Sequence, residues 1–198
     1  GDSIVTWESL NFQPYFTSTA SNIGYGWWSH DIGGHMLGHR DNELHFAGYS
    51  LGVFSPINRL HSSKNEFMGK EPWQFPMEIG EIMKEFLRLR HQMLPYLYTM
   101  NYRAYKENTP LILPMYYTYP AEQVAYTVKN EYEYGTAFIV APVTEKSVQG
   151  VGRARLMYGC QSTYIDFFTG LVYSGDREMD MYRDLHSIPV LAKAGAIV

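Results

Sequence analysis

The chain has 198 residues, of which 45% are hydrophobic and 18% are charged, and its formal net charge is -4. This balance is ordinary for a folded globular protein and excludes an intrinsically disordered chain. Because the net charge is weakly negative and Lys and Arg do not cluster, we expect no nucleic-acid partner. The length allows one large domain or two small ones.

The chain ends and the cysteine content predict whether the chain is part of a longer protein and where that protein is located. The sequence begins at Gly1 without an initiator Met or a signal peptide and stops in an apolar run, so we expect a piece of a longer protein. No apolar run approaches the roughly 20 residues that span a bilayer, so we expect no membrane segment. The single cysteine, Cys160, excludes an internal disulfide and fits a reducing compartment. We expect a cytoplasmic location, although a missing N-terminus leaves secretion open.

In the first third of the chain, short apolar runs are each followed by polar residues. Residues 23–28 are apolar and aromatic and lead to Asp31, so they predict a buried strand with polar side chains at its carboxyl end. A helix is predicted over 42–51, and residues 52–56 predict a second strand that leads to His61. This order is typical of a parallel α/β architecture, in which catalytic residues follow the strands.

The rest of the chain predicts one long helix and then a β-rich region. Apolar residues recur every three or four positions over 76–108, and Pro95 is expected to kink or restart that helix. Beyond residue 110, short apolar runs separated by glycines predict strands at 111–113, 137–140, 155–158 and 163–166. We therefore expect part of a β/α barrel over 1–109 and a β-rich domain over 110–198. Since a complete barrel needs about 250 residues, we expect most of it to lie outside this chain.

Two aspartates are candidates for acid–base chemistry. Asp2 and Asp31 form a possible carboxylate pair, with His61 nearby in the pattern of strand ends. Glycosidases use paired carboxyl groups, one as general acid/base and one as nucleophile or base. Without further context the residues favour a structural alternative, in which Asp2 is solvated near a chain end and Asp31 belongs to a turn.

Histidines are concentrated in the same part of the chain, at His30, His35, His39 and His45. His35 and His39 are four residues apart, a spacing that on a helix would place both on one face for a metal ion. Three intervening or adjacent glycines make such a helix unfavourable, so polar loop histidines are favoured over a metal site. Trp73, after Pro72, fits a sugar subsite and a packing anchor equally well.

Residues 25–34, Tyr-Gly-Trp-Trp-Ser-His-Asp-Ile-Gly-Gly, resemble the strand-seven signature of glycoside hydrolase family 31, which includes α-glucosidases, α-xylosidases and related transglycosylases. Further segments resemble family landmarks in the same order: the strand-eight segment at 54–61, the Pro-Trp at 71–73, the last barrel helix at 90–98, and β-domain segments at 135–143 and 188–197. The resemblance covers essentially the whole chain. It implies an α/β fold, the C-terminal portion of a (β/α)8 TIM barrel followed by a β-sandwich-like domain.

The resemblance also implies roles for single residues. Asp2 precedes Asp31 by a separation similar to the family's and corresponds to the general acid/base. Asp31 and His61 correspond to residues that bind hydroxyl groups of the sugar being cleaved, with Arg59 in support and Trp28 lining the pocket. The family's nucleophile, an aspartate in a motif close to Asp-Met-Asn-Glu, has no counterpart here and would lie upstream.

The parent enzyme implied by this resemblance is a retaining exo-acting α-glycosidase, with α-glucosidase favoured, which acts on α-linked oligosaccharides and needs no metal or organic cofactor. We expect the chain alone to be inactive for lack of the nucleophile, and prone to self-association through exposed strand edges. Two alternatives stay open: a non-catalytic carbohydrate-binding fragment, and a metal-dependent hydrolase built on His30, His35 and His39.

Overall fold

Helices dominate the N-terminal half of the computed structural model, which describes residues 1–64, 68–158 and 162–198. The α-helices are α1 (Trp7–Thr19), α2 (Asn42–Val53), α3 (Met77–Gln92) and α4 (Leu94–Glu107). Side chains cap the first two, because Thr6 accepts a hydrogen bond from the Ser9 amide and Asp41 accepts two from the first turn of α2. The cysteine at 160 lies outside the described ranges. Within those ranges, no helix combines the length and the apolar character needed to cross a membrane.

Helices α3 and α4 confirm the prediction of a long helical segment that is interrupted near Pro95. The interruption is at Met93, and Pro95 occupies the first turn of α4, where a backbone N–H would have no helical partner. The apolar stripe of α3 is buried, as its periodicity indicates, through Ile79, Ile82, Met83 and Phe86.

The C-terminal half consists of antiparallel strands. They are β1 (Ile112–Pro114), β2 (Tyr132–Tyr134), β3 (Phe138–Val140), β4 (Gly152–Tyr158), β5 (Thr163–Asp166), β6 (Val172–Ser174), β7 (Arg177–Arg183) and β8 (Val190–Lys193). Six of them form a sheet of order β1-β2-β3-β8-β5-β6, and β4 pairs with β7 in a second sheet. The four predicted strands correspond to β1, β3, β4 and β5, whereas the sequence patterns do not predict the other four or α1.

Both predicted barrel strands are wrong as secondary structure. Residues 20–23 form a 3-10 helix, and the following segment is not a strand; Ile23 is 83% exposed and Trp27 is 52% exposed. Residues 52–56 are the end of α2 and a turn. A short apolar run does not distinguish a strand from a helix end. A parallel strand also needs neighbours for its hydrogen bonds, and the described part of residues 1–107 offers only an isolated bridge between Ile4 and Met36.

An arginine on α3 fixes the segment that leads to the predicted site. The guanidinium of Arg90 donates hydrogen bonds to the carbonyl oxygens of Val53 at 2.6 Å, Ser55 at 2.7 Å and Pro56 at 3.0 Å. It also donates to the hydroxyl of Tyr134 in β2 at 2.9 Å. The start of the segment that carries Arg59 and His61 is therefore anchored both to a helix and to the sheet.

Candidate active site

A glycine turn shapes the segment that carries His35. Gly33 and Gly34 have φ angles of 77° and 83°, which residues with a side chain rarely adopt. A Cβ atom on Gly34 would lie 2.8 Å from the Cα atom of Val5, so only glycine fits without a backbone shift. The turn returns the chain to the N-terminal segment, where the His35 amide donates to the carbonyl of Ser3 at 2.6 Å. The imidazole of His35 thereby comes next to the predicted acid/base.

Asp31 is the buried anionic group of the site. Its side chain is fully inaccessible, and its Oδ1 atom accepts a hydrogen bond from Nη2 of Arg59 at 2.9 Å. Its Oδ2 atom lies 2.9 Å from Nδ1 of His35. A carboxylate that is removed from water needs such partners, because an unpaired buried charge is strongly destabilising. Arg59 therefore holds this carboxylate in place, whereas Asp31 Oδ2 and His35 Nδ1 lie close together without the geometry of a hydrogen bond.

Asp2 and His61 lie on the accessible side of the same cluster. The side chain of Asp2 is 66% exposed, and its Oδ1 atom is 3.7 Å from Nδ1 of His35. His61 is also exposed, and its ring centroid is 4.9 Å from that of His35. His35 thus lies between the two aspartates and beside His61. The structure brings four of the five predicted site residues together around a histidine that was assigned no such role.

Trp28, the fifth predicted residue, lies at the edge of this cluster. Its half-buried ring contacts those of Phe16 and Tyr25, with centroid distances of 4.6 Å and 5.7 Å. A Cβ atom on Gly1 would lie 2.6 Å from Cη2 of the indole, so the ring packs against the residue before Asp2. The indole therefore lies beside the chain segment that carries Asp2, and its role in lining the pocket stays a prediction.

Two buried histidines lie close to the cluster. Burial, and then the positive charge of the N-terminus, lowers the pKa of His30 to about 4, while Asp31 opposes part of that shift. Burial, and then the charges of Lys70 and Arg40, lowers the pKa of His45 to about 3. Both rings are therefore uncharged at neutral pH, and neither supplies a cation to the site.

Three side chains of the cluster could hold a metal ion. Asp31, His35 and His61 each offer one ligand atom, and these atoms lie within 4.8 Å of one another. One carboxylate with two imidazoles suits a transition metal such as zinc. The guanidinium of Arg59 already lies against Asp31, so a cation there would share the carboxylate with a second positive charge. The expectation that no metal is needed stays a prediction.

Burial settles two alternatives left open by the sequence. His30, His35 and His39 do not form a metal-binding group, since His30 is buried whereas His39 is exposed, and the described chain groups His35 with other residues. A metal-dependent hydrolase built on these three histidines is therefore wrong. Trp73 is 76% exposed within a 3-10 helix over Pro72–Gln74, which excludes a packing anchor. A sugar subsite at Trp73 stays a prediction.

Sequence reasoning misses two residues of the site. His35 enters it only as a candidate metal ligand, although its place directly after two glycines signals a turn that folds the chain back. Lys70 is buried, and its ammonium donates hydrogen bonds to the carbonyl oxygens of Gly34 and His61. Lysine is almost never fully buried unless it is paired, so the sequence predicts an exposed side chain at this position and not a buried member of the site.

Comparison with known families identifies both halves of the chain. The family model described as the glycosyl hydrolases family 31 TIM-barrel domain matches residues 1–100, and that of the glycosyl hydrolase family 31 C-terminal domain matches residues 108–198. The chain belongs to glycoside hydrolase family 31. This confirms the resemblance and the α/β fold class, the end of a family 31 barrel followed by its C-terminal domain. The domain boundary between 109 and 110 stays a prediction.

Family 31 relatives match the chain along its whole length. An α-xylosidase from Saccharolobus solfataricus is 28% identical and covers 100% of this chain, which spans 27% of that relative. Alpha-glucosidase 2 from Bacillus thermoamyloliquefaciens is 29% identical over 100% of this chain, which spans 24% of it. The crystal structure of a family 31 α-xylosidase from a soil metagenome, complexed with xylose, superposes on this chain with a TM-score of 0.88 and 26% sequence identity. The match covers 99% of this chain and 32% of the α-xylosidase chain. The chain thus spans about a quarter of the length of these curated relatives.

Proposed function

We propose that this chain is part of a retaining, exo-acting α-glycosidase that hydrolyses terminal α-linked glucose or a related sugar from oligosaccharides. The observation that carries the proposal is the cluster around His35, in which one exposed carboxylate, Asp2, and one buried carboxylate, Asp31, flank the same imidazole. Membership of family 31 and similarity to an α-xylosidase and an α-glucosidase support this reaction class. The nucleophile would come from a part of the enzyme upstream of this chain.

Asp2 is proposed as the general acid/base. Its side chain is accessible, so it can reach both a glycosidic oxygen and the water that later replaces the leaving group. Asp31 is unsuited to that role because its carboxylate is fully buried and already contacts Arg59 and His35. The contrast in exposure between the two aspartates therefore supports different roles, proton transfer by Asp2 and positioning of Arg59 by Asp31.

The proposed reaction proceeds in two steps, formation of a glycosyl ester and its hydrolysis. The upstream carboxylate attacks the anomeric carbon while the Asp2 carboxyl donates its proton to the departing oxygen, so a glycosyl ester forms as the glycosidic bond breaks. The Asp2 carboxylate then takes a proton from water, whose oxygen attacks the same carbon and releases the sugar and the nucleophile. In such enzymes the two carboxyl groups are about 5 to 5.5 Å apart, which defines where the upstream carboxylate must lie relative to Asp2.

The remaining residues of the cluster are proposed to bind the sugar. The Asp31 carboxylate is inaccessible, so it is proposed to act on the sugar through Arg59, which it holds in place. The exposed ring of His61 can donate or accept a hydrogen bond with a sugar hydroxyl group. Arg59, which is half-exposed, holds Asp31 in place and has further donors for the sugar. The indole of Trp28 offers an apolar face to C–H groups of the ring. Together these contacts would orient the anomeric carbon towards Asp2 and the nucleophile.

The test uses the protein extended upstream to its natural start. Turnover of p-nitrophenyl α-glucoside, p-nitrophenyl α-xyloside and maltose is measured for the wild type and for Asp2→Asn, which keeps the shape but cannot transfer the proton. We expect Asp2→Asn to lower kcat by about a hundredfold or more. The matched control is Asp176→Asn, an exposed aspartate between β6 and β7, which should retain the wild-type kcat.

Two outcomes would contradict this assignment. An extended protein that is folded but cleaves none of the three substrates removes the glycosidase function, and binding of glucose or xylose without turnover would then support a carbohydrate-binding protein. An Asp2→Asn variant with the wild-type kcat removes the acid/base role. The 198-residue chain by itself is expected to show no turnover, because the nucleophile is not among its residues; measurable hydrolysis by the purified chain would contradict that expectation.

A further inference from the structure

Lys70 is a buried lysine whose ammonium joins two separate segments of the candidate site. The residue is only 6% exposed. Its Nζ atom donates hydrogen bonds to the carbonyl oxygen of Gly34 and, at 2.5 Å, to that of His61. Gly34 belongs to the turn between Asp31 and His35, whereas His61 ends the segment that begins at α2. One cation thus bridges the two sides of the cluster.

The charge of Lys70 fits this position. Burial lowers the pKa of Lys70 to about 8, while the nearby Asp31 carboxylate opposes part of that shift, so the ammonium is mostly retained at neutral pH. The same charge lowers the pKa of His45, for which burial is the larger cause. An ammonium in such a place is costly unless its donors are used. Here two of its three donors are directed at main-chain carbonyl groups.

We propose that Lys70 is a positioning residue of the sugar site, which holds the turn of Asp31 and His35 at a fixed distance from His61. The hydrogen bond from the Ser63 amide to the His35 carbonyl, 3.1 Å long, is a second link between the same two segments. The 4.9 Å separation of the His35 and His61 rings depends on both links. Lys70 touches neither reacting atom nor sugar, so its effect passes through the residues that do.

The kinetic test rests on the proposed function and uses the extended protein. Lys70→Met keeps the length and apolar stem of the side chain but removes the charge and both donors. We expect KM for p-nitrophenyl α-glucoside or α-xyloside to rise about tenfold or more while kcat changes by less than about threefold, since lost ground-state binding acts on KM. Lys70→Arg, which retains a cation with several donors, should recover part of this affinity. Lys106→Met, an exposed lysine of α4, should match the wild type.

A merely structural role predicts a different split. If Lys70→Met only lowers the fraction of folded enzyme, the apparent kcat falls and KM keeps its wild-type value, and that result would overturn the proposal. The same conclusion follows if Lys70→Met has wild-type values of both constants.

A second measurement is independent of turnover, so failure of the proposed function and failure of this inference can be told apart. Hydrogen exchange of the Ser63 amide reports directly on the link between the two segments. We expect its exchange to become about tenfold faster or more in Lys70→Met, while amides in β2 and β3 keep their wild-type rates. Unchanged exchange at Ser63, or an equal acceleration throughout the protein, would overturn the positioning role even if the wild type cleaves no substrate.

Discussion

Replacement of Gly34 by alanine is expected to misplace the turn of the candidate active site as well as to weaken the fold. Gly34 has a φ of 83°, and a side chain in this left-handed region costs about 1–2 kcal/mol. The new Cβ atom would also lie 2.8 Å from the Cα atom of Val5, so one of the two backbones must move by roughly 0.6 Å to reach ordinary contact. Since misplacement by about 1 Å costs about a hundredfold in rate, we expect kcat/KM to fall about tenfold.

Gly170→Ala separates the steric effect from the backbone effect. Gly170 lies in the turn between β5 and β6, has a φ of 73°, and has no atom within 4 Å of the position that a Cβ atom would take. Both variants should therefore lose thermal stability through the same left-handed penalty, but only Gly34→Ala should lose kcat/KM. The assay is initial-rate kinetics of the extended protein with p-nitrophenyl glycosides, together with thermal unfolding. Equal kcat/KM in the two variants would refute the reasoning.

Three further predictions concern stability and binding. Burial lowers the pKa of His30 from 6.5 to about 4, so between these pH values the unfolded chain binds a proton that the folded protein does not. The free energy of unfolding should therefore fall by on the order of 3 kcal/mol as the pH falls from 6.5 towards 4. Urea unfolding at pH 7, 5.5 and 4.5 should show a shallower decline for His30→Gln, and an equally steep decline would contradict this. Arg90→Met leaves the carbonyl oxygens that Arg90 binds, and the Tyr134 hydroxyl, without their donor. It should cost about 3–5 kcal/mol, measured by the unfolding midpoint, against almost no loss for the exposed Lys84→Met. Arg59→Met removes a half-exposed partner of the buried Asp31 and should cost about 1–3 kcal/mol and raise KM; wild-type KM would remove Arg59 from the site.

Local patterns in the sequence predict the helices better than the barrel strands. The helix over 42–51 appears as α2, and the stripe over 76–108 appears as α3 and α4 with the break beside Pro95. Helical hydrogen bonds lie within one segment, so the information that specifies them is local. Strand pairing joins distant segments, so an apolar run such as 23–28 can read as a strand and still lack a hydrogen-bonding neighbour.

The candidate site residues show the same difference between what local sequence predicts and what packing decides. The motif at 25–34 and the segment at 54–61 mark Asp31, Arg59 and His61 as a group because both segments resemble landmarks of family 31, whose barrel model matches residues 1–100. Nothing in those segments indicates that His35 lies 2.9 Å from Asp31, because that distance depends on a turn at two positive-φ glycines, Gly33 packed against His45 and Gly34 packed against Val5.

The sequence by itself determined the family, the order of barrel and β-rich parts, and the identity of most candidate site residues. Each of these depends on residue types read along one stretch of chain. The tertiary structure alone decided that His35 contacts both aspartates and that the Lys70 ammonium joins the Gly34 and His61 carbonyls. Burial and contact between remote segments arise only when the chain packs, so the groups that orient a site are less visible in sequence than those that perform its chemistry.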